Sequence, residues 1–144
     1  MYCYNIIPLC MIYMTDIPLK VICFIWLCLA NCMNTWDNLI RKGWTGPNRC
    51  SLYKNGEELV NHLFSTCSFT HHIFNYLSRI LDRSMDWNEP SFEDNMDTWF
   101  RNEKELLHLP LLTTWHMWLT RNRVILDDLN PDANVICHSI LQQL

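Results

Sequence analysis

Residues 48–67, the metal segment, hold cysteine and histidine at intervals typical of a structural zinc site. Two residues lie between Cys50 and Tyr53, eight between Tyr53 and His62, and four between His62 and Cys67. Structural zinc takes four nitrogen or sulfur ligands in a tetrahedron. Tyr53 stands where the fourth ligand is expected, and its phenol, with a pKa of about 10, is a poor ligand beside a thiol with a pKa of about 8.5.

Three kinds of group could replace the missing fourth ligand. A water molecule is the first, a nearby carboxylate is the second, and a further histidine is the third. The side chains that could supply the second and third are Glu57, Glu58, His71 and His72.

Helix geometry limits these choices. His71 lies four residues after Cys67, so the two share a face if one continuous helix holds both. His62 and Cys67 are five residues apart and diverge around a straight helix, so the helix must break or tighten near Thr66 for both to reach one ion. A continuous helix that holds both Cys67 and His71 conflicts with a helix that breaks or tightens near Thr66.

A metal-free alternative stays open for the same segment. In it, Cys50 and Cys67 are buried thiols, His62 is a capped or exposed helix residue, and the ring of Tyr53 packs where the metal would have been. The sequence therefore predicts zinc binding that is weak or absent.

The composition predicts a mainly α fold. Hydrophobic residues make up 49% of the 144 residues and aromatic residues 12%, while three glycines and six prolines provide few turns. Apolar residues recur at intervals of three and four. We expect a small helical domain with a short zinc-knuckle-like turn at 48–67.

Four regions follow from the pattern along the chain. Residues 1–14 match nothing recognisable, 15–81 form a helical region with the metal segment, 82–92 form an acidic linker, and 93–144 form C-terminal helices.

Several residue types predict where helices begin and end. Thr35 is the expected N-cap of a short helix that stops at Gly43. Ser91 and Asp94 resemble a capping box, which begins a helix expected to continue up to Pro110.

The charge balance argues against strong nucleic-acid binding. Eleven basic and fifteen acidic residues give a net charge of −4, whereas affinity for phosphates depends on a surplus of Lys and Arg. The local basic cluster consists of Arg41, Lys42 and Arg49. Binding of RNA or DNA through this cluster is expected to be weak.

Three segments in order resemble one family, the reverse transcriptase zinc-binding domain of plant non-LTR retrotransposons and of plant genes derived from them. The first segment matches at Ile17, Pro18, Lys20, Phe24, Trp26, Thr35, Leu39 and Gly43. The second is the metal segment, and the third matches a Trp-x-x-Arg-Asn signature at Trp118, Arg121 and Asn122. The resemblance implies zinc as the metal and the RNA or DNA of such an element as the partner.

The last signature has two interpretations. Arg121 and Asn122 could contact a phosphate or a base. The interpretation we favour is that they bond to the backbone of a neighbouring segment and fix helix packing. Likewise Trp115 and Trp118, three residues apart on a helix, are expected to be core residues rather than a base-stacking platform.

The sequence favours a non-catalytic protein over an enzyme. It carries no nucleophile triad, phosphate loop or His-Glu-x-x-His motif, and neither the polymerase nor the ribonuclease H domain of such polyproteins is recognisable. No small-molecule substrate is therefore expected. An alternative is a domesticated or decayed helical remnant that contacts a protein partner without metal.

A membrane-associated protein that uses residues 1–30 is a second alternative. The apolar run at 21–30 has ten residues, short of the roughly 20 that span a bilayer. No Lys or Arg precedes Lys20, whereas a signal peptide begins with a basic region. These features favour an intracellular location, nuclear or cytoplasmic, and argue against a membrane partner.

Overall fold

The computed structural model describes residues 16–103 and 105–144. The regular structure of these residues is helical, and they contain no strand. In chain order the elements are α1 (Leu19–Leu29), α2 (Trp36–Arg41), a π-helical turn (His62–Thr66), α3 (Ser68–Leu81), α4 (Phe92–Asn102), α5 (Leu109–Asp127) and α6 (Ala133–Gln143). The prediction of a mainly α fold is confirmed, while the region predicted for 1–14 lies outside the described residues.

The apolar run at 21–30 forms most of α1, which is a core helix. Its buried side chains are Val21, Ile22, Phe24, Ile25 and Cys28. It packs on α5, where Phe24 contacts Trp115 and Trp118 at ring-centroid distances of 5.3 and 6.2 Å. Among the described residues, no helix has the length and apolar character needed to cross a membrane.

The short helix α2 begins and ends where its sequence predicts. Thr35 is the N-cap residue, and Asp37 in the first turn pairs with Arg41 at 2.8 Å. Gly43 has a φ of 96°, a left-handed conformation that favours glycine. The helix therefore stops before the loop that leads to Cys50.

The predicted helix up to Pro110 is wrong in its end point. The helix α4 begins after Ser91, whose hydroxyl accepts from the Asp94 N–H at 3.3 Å as predicted, but it ends at Asn102. Pro110 lies in the first turn of α5. Proline fits the first turn because the N–H that it lacks has no partner there, so this proline marks a beginning.

Residues 82–91 join α3 to α4 and contribute one large side chain to the core. Trp87 is 2% exposed and stacks on Phe74 with 4.7 Å between ring centroids. Its indole N–H donates to the Phe64 carbonyl at 2.8 Å. Through this bond, residues 82–91 pack against the π-helical turn. The division of the chain into two helical regions at 82–92 stays a prediction.

Candidate metal centre

A tight turn at residues 50–56 presents the first cysteine. The Cys50 N–H donates to the Gly56 carbonyl at 3.0 Å, and the Lys54 N–H donates to the Cys50 carbonyl at 2.8 Å. Gly56 has a φ of 85°, and a Cβ at this position would lie 3.7 Å from His62 Cε1. Glycine is favoured at this φ because it has no Cβ. The turn thus brings Cys50 towards His62.

The π-helical turn places His62 and Cys67 on one side of the chain. The Cys67 N–H donates to the His62 carbonyl at 2.8 Å, which is the i to i+5 bond that defines a π-helix. Cys67 is extended, with φ −63° and ψ 135°, and α3 begins at Ser68. The helix therefore breaks at Cys67 as predicted, but it widens near Thr66 rather than tightening.

These elements bring three candidate ligand atoms together. Cys50 Sγ and Cys67 Sγ are 3.8 Å apart, and one atom each of Cys50, His62 and Cys67 lies within 4.8 Å of the others. A zinc tetrahedron with Zn–S bonds of about 2.3 Å has an edge of about 3.8 Å between sulfurs. The two sulfurs therefore have the separation that one zinc ion requires, and the group could hold a metal ion.

The His62 ring offers a nitrogen to this group. Its Nδ1 lies 3.3 Å from Thr66 Oγ1, whereas Nε2 is buried and has no hydrogen-bond partner among the described residues. A buried polar atom without a partner is costly, and ligation of a metal would remove that cost. A histidine ligand is usually held by a hydrogen bond at its other nitrogen, which Thr66 supplies here.

The two thiols do not ionise alike. The hydrogen bond from Cys67 lowers the pKa of Cys50 to about 5, burial opposes this shift, and the backbone N–H groups of Tyr53 and Leu52 add to it. The same pairing, with burial, raises the pKa of Cys67. Because thiolates are the form that binds metal, the lowered pKa favours Cys50 as a metal ligand.

Tyr53 stands beside this group rather than within it. Its side chain is 52% exposed, and its ring lies 6.2 Å from that of Phe69. Three atoms within 4.8 Å of one another leave no room for a ring between them. The Tyr53 ring therefore does not occupy the metal position, contrary to the metal-free alternative.

None of the four candidate substitutes belongs to the three-residue group. Glu57 and His72 are exposed, and His71 is half-buried on α3. Glu58 is fully buried, but its two carboxylate oxygens accept from Ser51, Trp36 and Arg121. A water molecule is the replacement that requires no rearrangement.

The three predicted basic residues are exposed. Arg41 pairs with Asp37, Lys42 donates to Asn34 Oδ1 at 2.7 Å, and Arg49 donates to the Lys54 carbonyl at 3.0 Å. Arg49 thus touches the loop that carries Cys50.

One exposed aromatic residue, which lies between Lys42 and Arg49 in the sequence, was not predicted as a candidate site residue. Trp44 is 61% exposed and lies in the loop after α2. Its position in a polar loop was the feature of the sequence that could have indicated an exposed side chain.

The Trp-x-x-Arg-Asn signature has a structural role in the described residues. Arg121 donates to the Asn34 carbonyl at 3.1 Å, as expected, whereas Asn122, for which a backbone bond was also expected, accepts from Arg121 Nη1. Arg121 also pairs with Glu58, a partner that sequence reasoning considered as a zinc ligand instead.

Comparison with protein families matched residues 4–74 to the family described as zinc-binding in reverse transcriptase. The match includes the whole metal segment and begins within 1–14, which sequence analysis left unmatched. No curated protein and no solved structure gave a significant match. Neither a polymerase nor a ribonuclease H domain was matched beside it. The resemblance to the reverse transcriptase zinc-binding domain is therefore confirmed over residues 4–74.

Proposed function

We propose that the protein is a non-catalytic zinc-binding module whose ligands are Cys50 Sγ, His62 Nε2 and Cys67 Sγ. The observation that carries the proposal is the sulfur separation of 3.8 Å beside a buried, unpartnered Nε2. Zinc at this position would link the turn at 50–56 to the start of α3. Metal binding to such a segment adds to its folding free energy.

Three protein ligands make the site weaker than a complete one. A structural site with four ligands binds zinc with an apparent free energy of about 10–16 kcal/mol at neutral pH. A water molecule would have to complete the tetrahedron here, so we expect affinity well below that range. We assign the site a structural role because its ligands come from the turn at 50–56 and from the π-helical turn with the residue that follows it, which one ion would join.

A metal titration of the wild-type chain tests this proposal. We expect zinc and cobalt to bind at one ion per chain with modest affinity, and Cys67→Ala to abolish binding because it removes one of three ligands. Sulfur-to-cobalt charge-transfer absorption reports the thiolates directly.

Cys137→Ala is the matched control, since Cys137 is equally buried but bonds to the Ile73 carbonyl at 3.9 Å. It should bind metal like the wild type. Wild-type protein that purifies with one tightly held zinc would contradict the three-ligand site, and no binding at all would contradict the proposal.

We infer a chain derived from a plant non-LTR retrotransposon that contacts RNA or DNA weakly through Arg41, Lys42 and Arg49. The exposure of these residues supports the nucleic-acid contact, and Trp44, which is 61% exposed, adds an aromatic face on which a base could stack. The net charge of −4 limits the affinity.

Neutralising the basic cluster should remove most nucleic-acid binding. In Arg41→Gln/Lys42→Gln/Arg49→Gln we expect the salt dependence to fall by a slope of about 2, because each single-strand phosphate contact contributes about 0.7. The measurement is fluorescence anisotropy of a labelled oligonucleotide at several salt concentrations.

The control Arg79→Gln/Arg101→Gln/Arg123→Gln removes the same charge from exposed positions elsewhere. It should retain most of the binding. Equal loss in both triple variants would show that net charge, not this cluster, determines the affinity.

A further inference from the structure

A buried ion pair connects the metal segment to a helix that lies outside the family match. Glu58 is 0% exposed and Arg121 is 5% exposed. The Arg121 Nε donates to Glu58 Oε1 at 3.1 Å, and its Nη2 donates to the same oxygen. Buried charges require a partner and further hydrogen bonds, and each member of this pair has both.

Glu58 uses its remaining capacity on the chain around Cys50. Its Oε2 accepts from the Ser51 N–H at 3.2 Å and from Ser51 Oγ at 2.9 Å. Its Oε1 also accepts from the Trp36 N–H at 3.1 Å. Because Ser51 follows Cys50 directly, the carboxylate fixes the backbone next to the metal-binding sulfur.

Arg121 is itself held from several sides. Its guanidinium lies 4.8 Å from the Trp118 ring centroid and 5.9 Å from that of Trp36. Nη2 donates to the Asn34 carbonyl and Nη1 to Asn122 Oδ1, both at 3.1 Å. The guanidinium held in this way fixes the orientation of the Glu58 carboxylate. Lysine, which lacks a planar set of donors, could not reproduce this geometry.

We infer that Arg121 and Glu58 form a positioning pair for the metal site. Arg121 on α5 holds the Glu58 carboxylate, and Glu58 holds Ser51, so that Cys50 Sγ stays at its ligating distance from Cys67 Sγ. This inference rests on the proposed zinc-binding function. It gives the Trp-x-x-Arg-Asn signature a role at a site whose ligands lie more than fifty residues earlier in the chain.

A double variant tests the pair without leaving a buried charge. Glu58→Leu/Arg121→Met replaces both ions with apolar groups, a change that often preserves folding, and removes the bonds to Ser51. We expect cobalt affinity to fall by about 10–100-fold, the usual cost of losing an outer partner of a metal ligand. Ile140→Ala, in the fully buried part of α6, is the control for lost stability and should retain cobalt affinity.

Hydrogen exchange of the metal-free proteins supplies a readout that does not depend on metal. The Cys50 N–H bonds to the Gly56 carbonyl, so its protection reports whether the turn stays closed. We expect it to fall at least tenfold in the double variant and to stay unchanged in Ile140→Ala.

The outcomes separate the two proposals. Unchanged cobalt affinity and unchanged Cys50 protection in the folded double variant would overturn the positioning role. If wild-type protein takes up no cobalt, the zinc-binding function fails, while loss of Cys50 protection would still establish that the pair holds the turn. If the double variant does not fold, Glu58→Gln, which keeps the side-chain shape, replaces it with the same expected direction in both measurements.

Discussion

Tyr53→Cys is expected to bind one zinc ion per chain tightly and to gain thermal stability that a chelator removes. The Tyr53 backbone lies close enough to Cys50 to help lower the pKa of that thiol, so a thiol at this position begins close to the candidate ligands. Free zinc at about 100 times Kd stabilises the native state by about 2.7 kcal/mol. Loss of the Tyr53 ring costs little because the ring is half exposed. Metal content and melting temperature with and without chelator measure the result.

Tyr53→Ser separates the new ligand from the loss of the ring. This variant removes the same contact with Phe69 but adds no thiolate, so we expect its zinc affinity and stability to remain near those of the wild type. If Tyr53→Cys acquires no zinc, the turn at 50–56 does not close around a metal. If Tyr53→Ser gains as much as Tyr53→Cys, ring removal rather than ligation explains the effect.

The spacing of Cys50, His62 and Cys67 was sufficient to select the residues that the structure brings together. It was not sufficient to predict the backbone conformation that brings these residues together. Side-chain periodicity distinguishes helix from strand, but it does not signal a π-helical turn, which inserts one residue into an otherwise helical pattern. The spacing therefore predicted that the helix changes near Thr66, but not that its turn widens.

The Glu58–Arg121 pair illustrates a different limit. The two residues are 63 positions apart in the chain, and no local rule connects an acidic residue in a loop with an arginine on a distant helix. Glu58 was a candidate metal ligand because its carboxylate lies near Tyr53 in the sequence. Its complete burial and five donors are properties of the tertiary fold, and they decide that its oxygens are already used.

The boundary between α4 and α5 was mispredicted for a third reason. Apolar residues continue at helical spacing through Leu107, so periodicity alone gave one long helix. The chain instead becomes extended at Glu103, and the Trp99 indole N–H donates to the Leu106 carbonyl at 2.9 Å. A side chain thus satisfies the backbone of the connection, and Pro110 then begins α5.

Trp87→Ala is expected to reduce the free energy of unfolding by about 3–5 kcal/mol, as large-to-small changes of buried aromatic residues do. Trp87 is 2% exposed, stacks on Phe74, and contacts Phe92 and Trp99 edge-on. Its removal leaves a cavity that these rings cannot fill together. Thermal and denaturant unfolding measure the loss, expected to be about 10 °C in melting temperature because each kcal/mol corresponds to about 2–4 °C in domains near this size.

Two further variants separate the contribution of ring packing from that of the indole hydrogen bond and provide a control. Trp87→Phe keeps an aromatic ring against Phe74 but removes the N–H that bonds to Phe64, so it should cost about 1–3 kcal/mol for a buried carbonyl left without its donor. Trp44→Ala truncates a tryptophan that is 61% exposed and should change stability by less than about 0.5 kcal/mol. If Trp87→Ala costs no more than Trp44→Ala, residues 82–91 contribute nothing to the core and act as a plain linker. A large loss in Trp87→Phe, accompanied by weaker cobalt binding, would instead show that this segment supports the π-helical turn that carries His62.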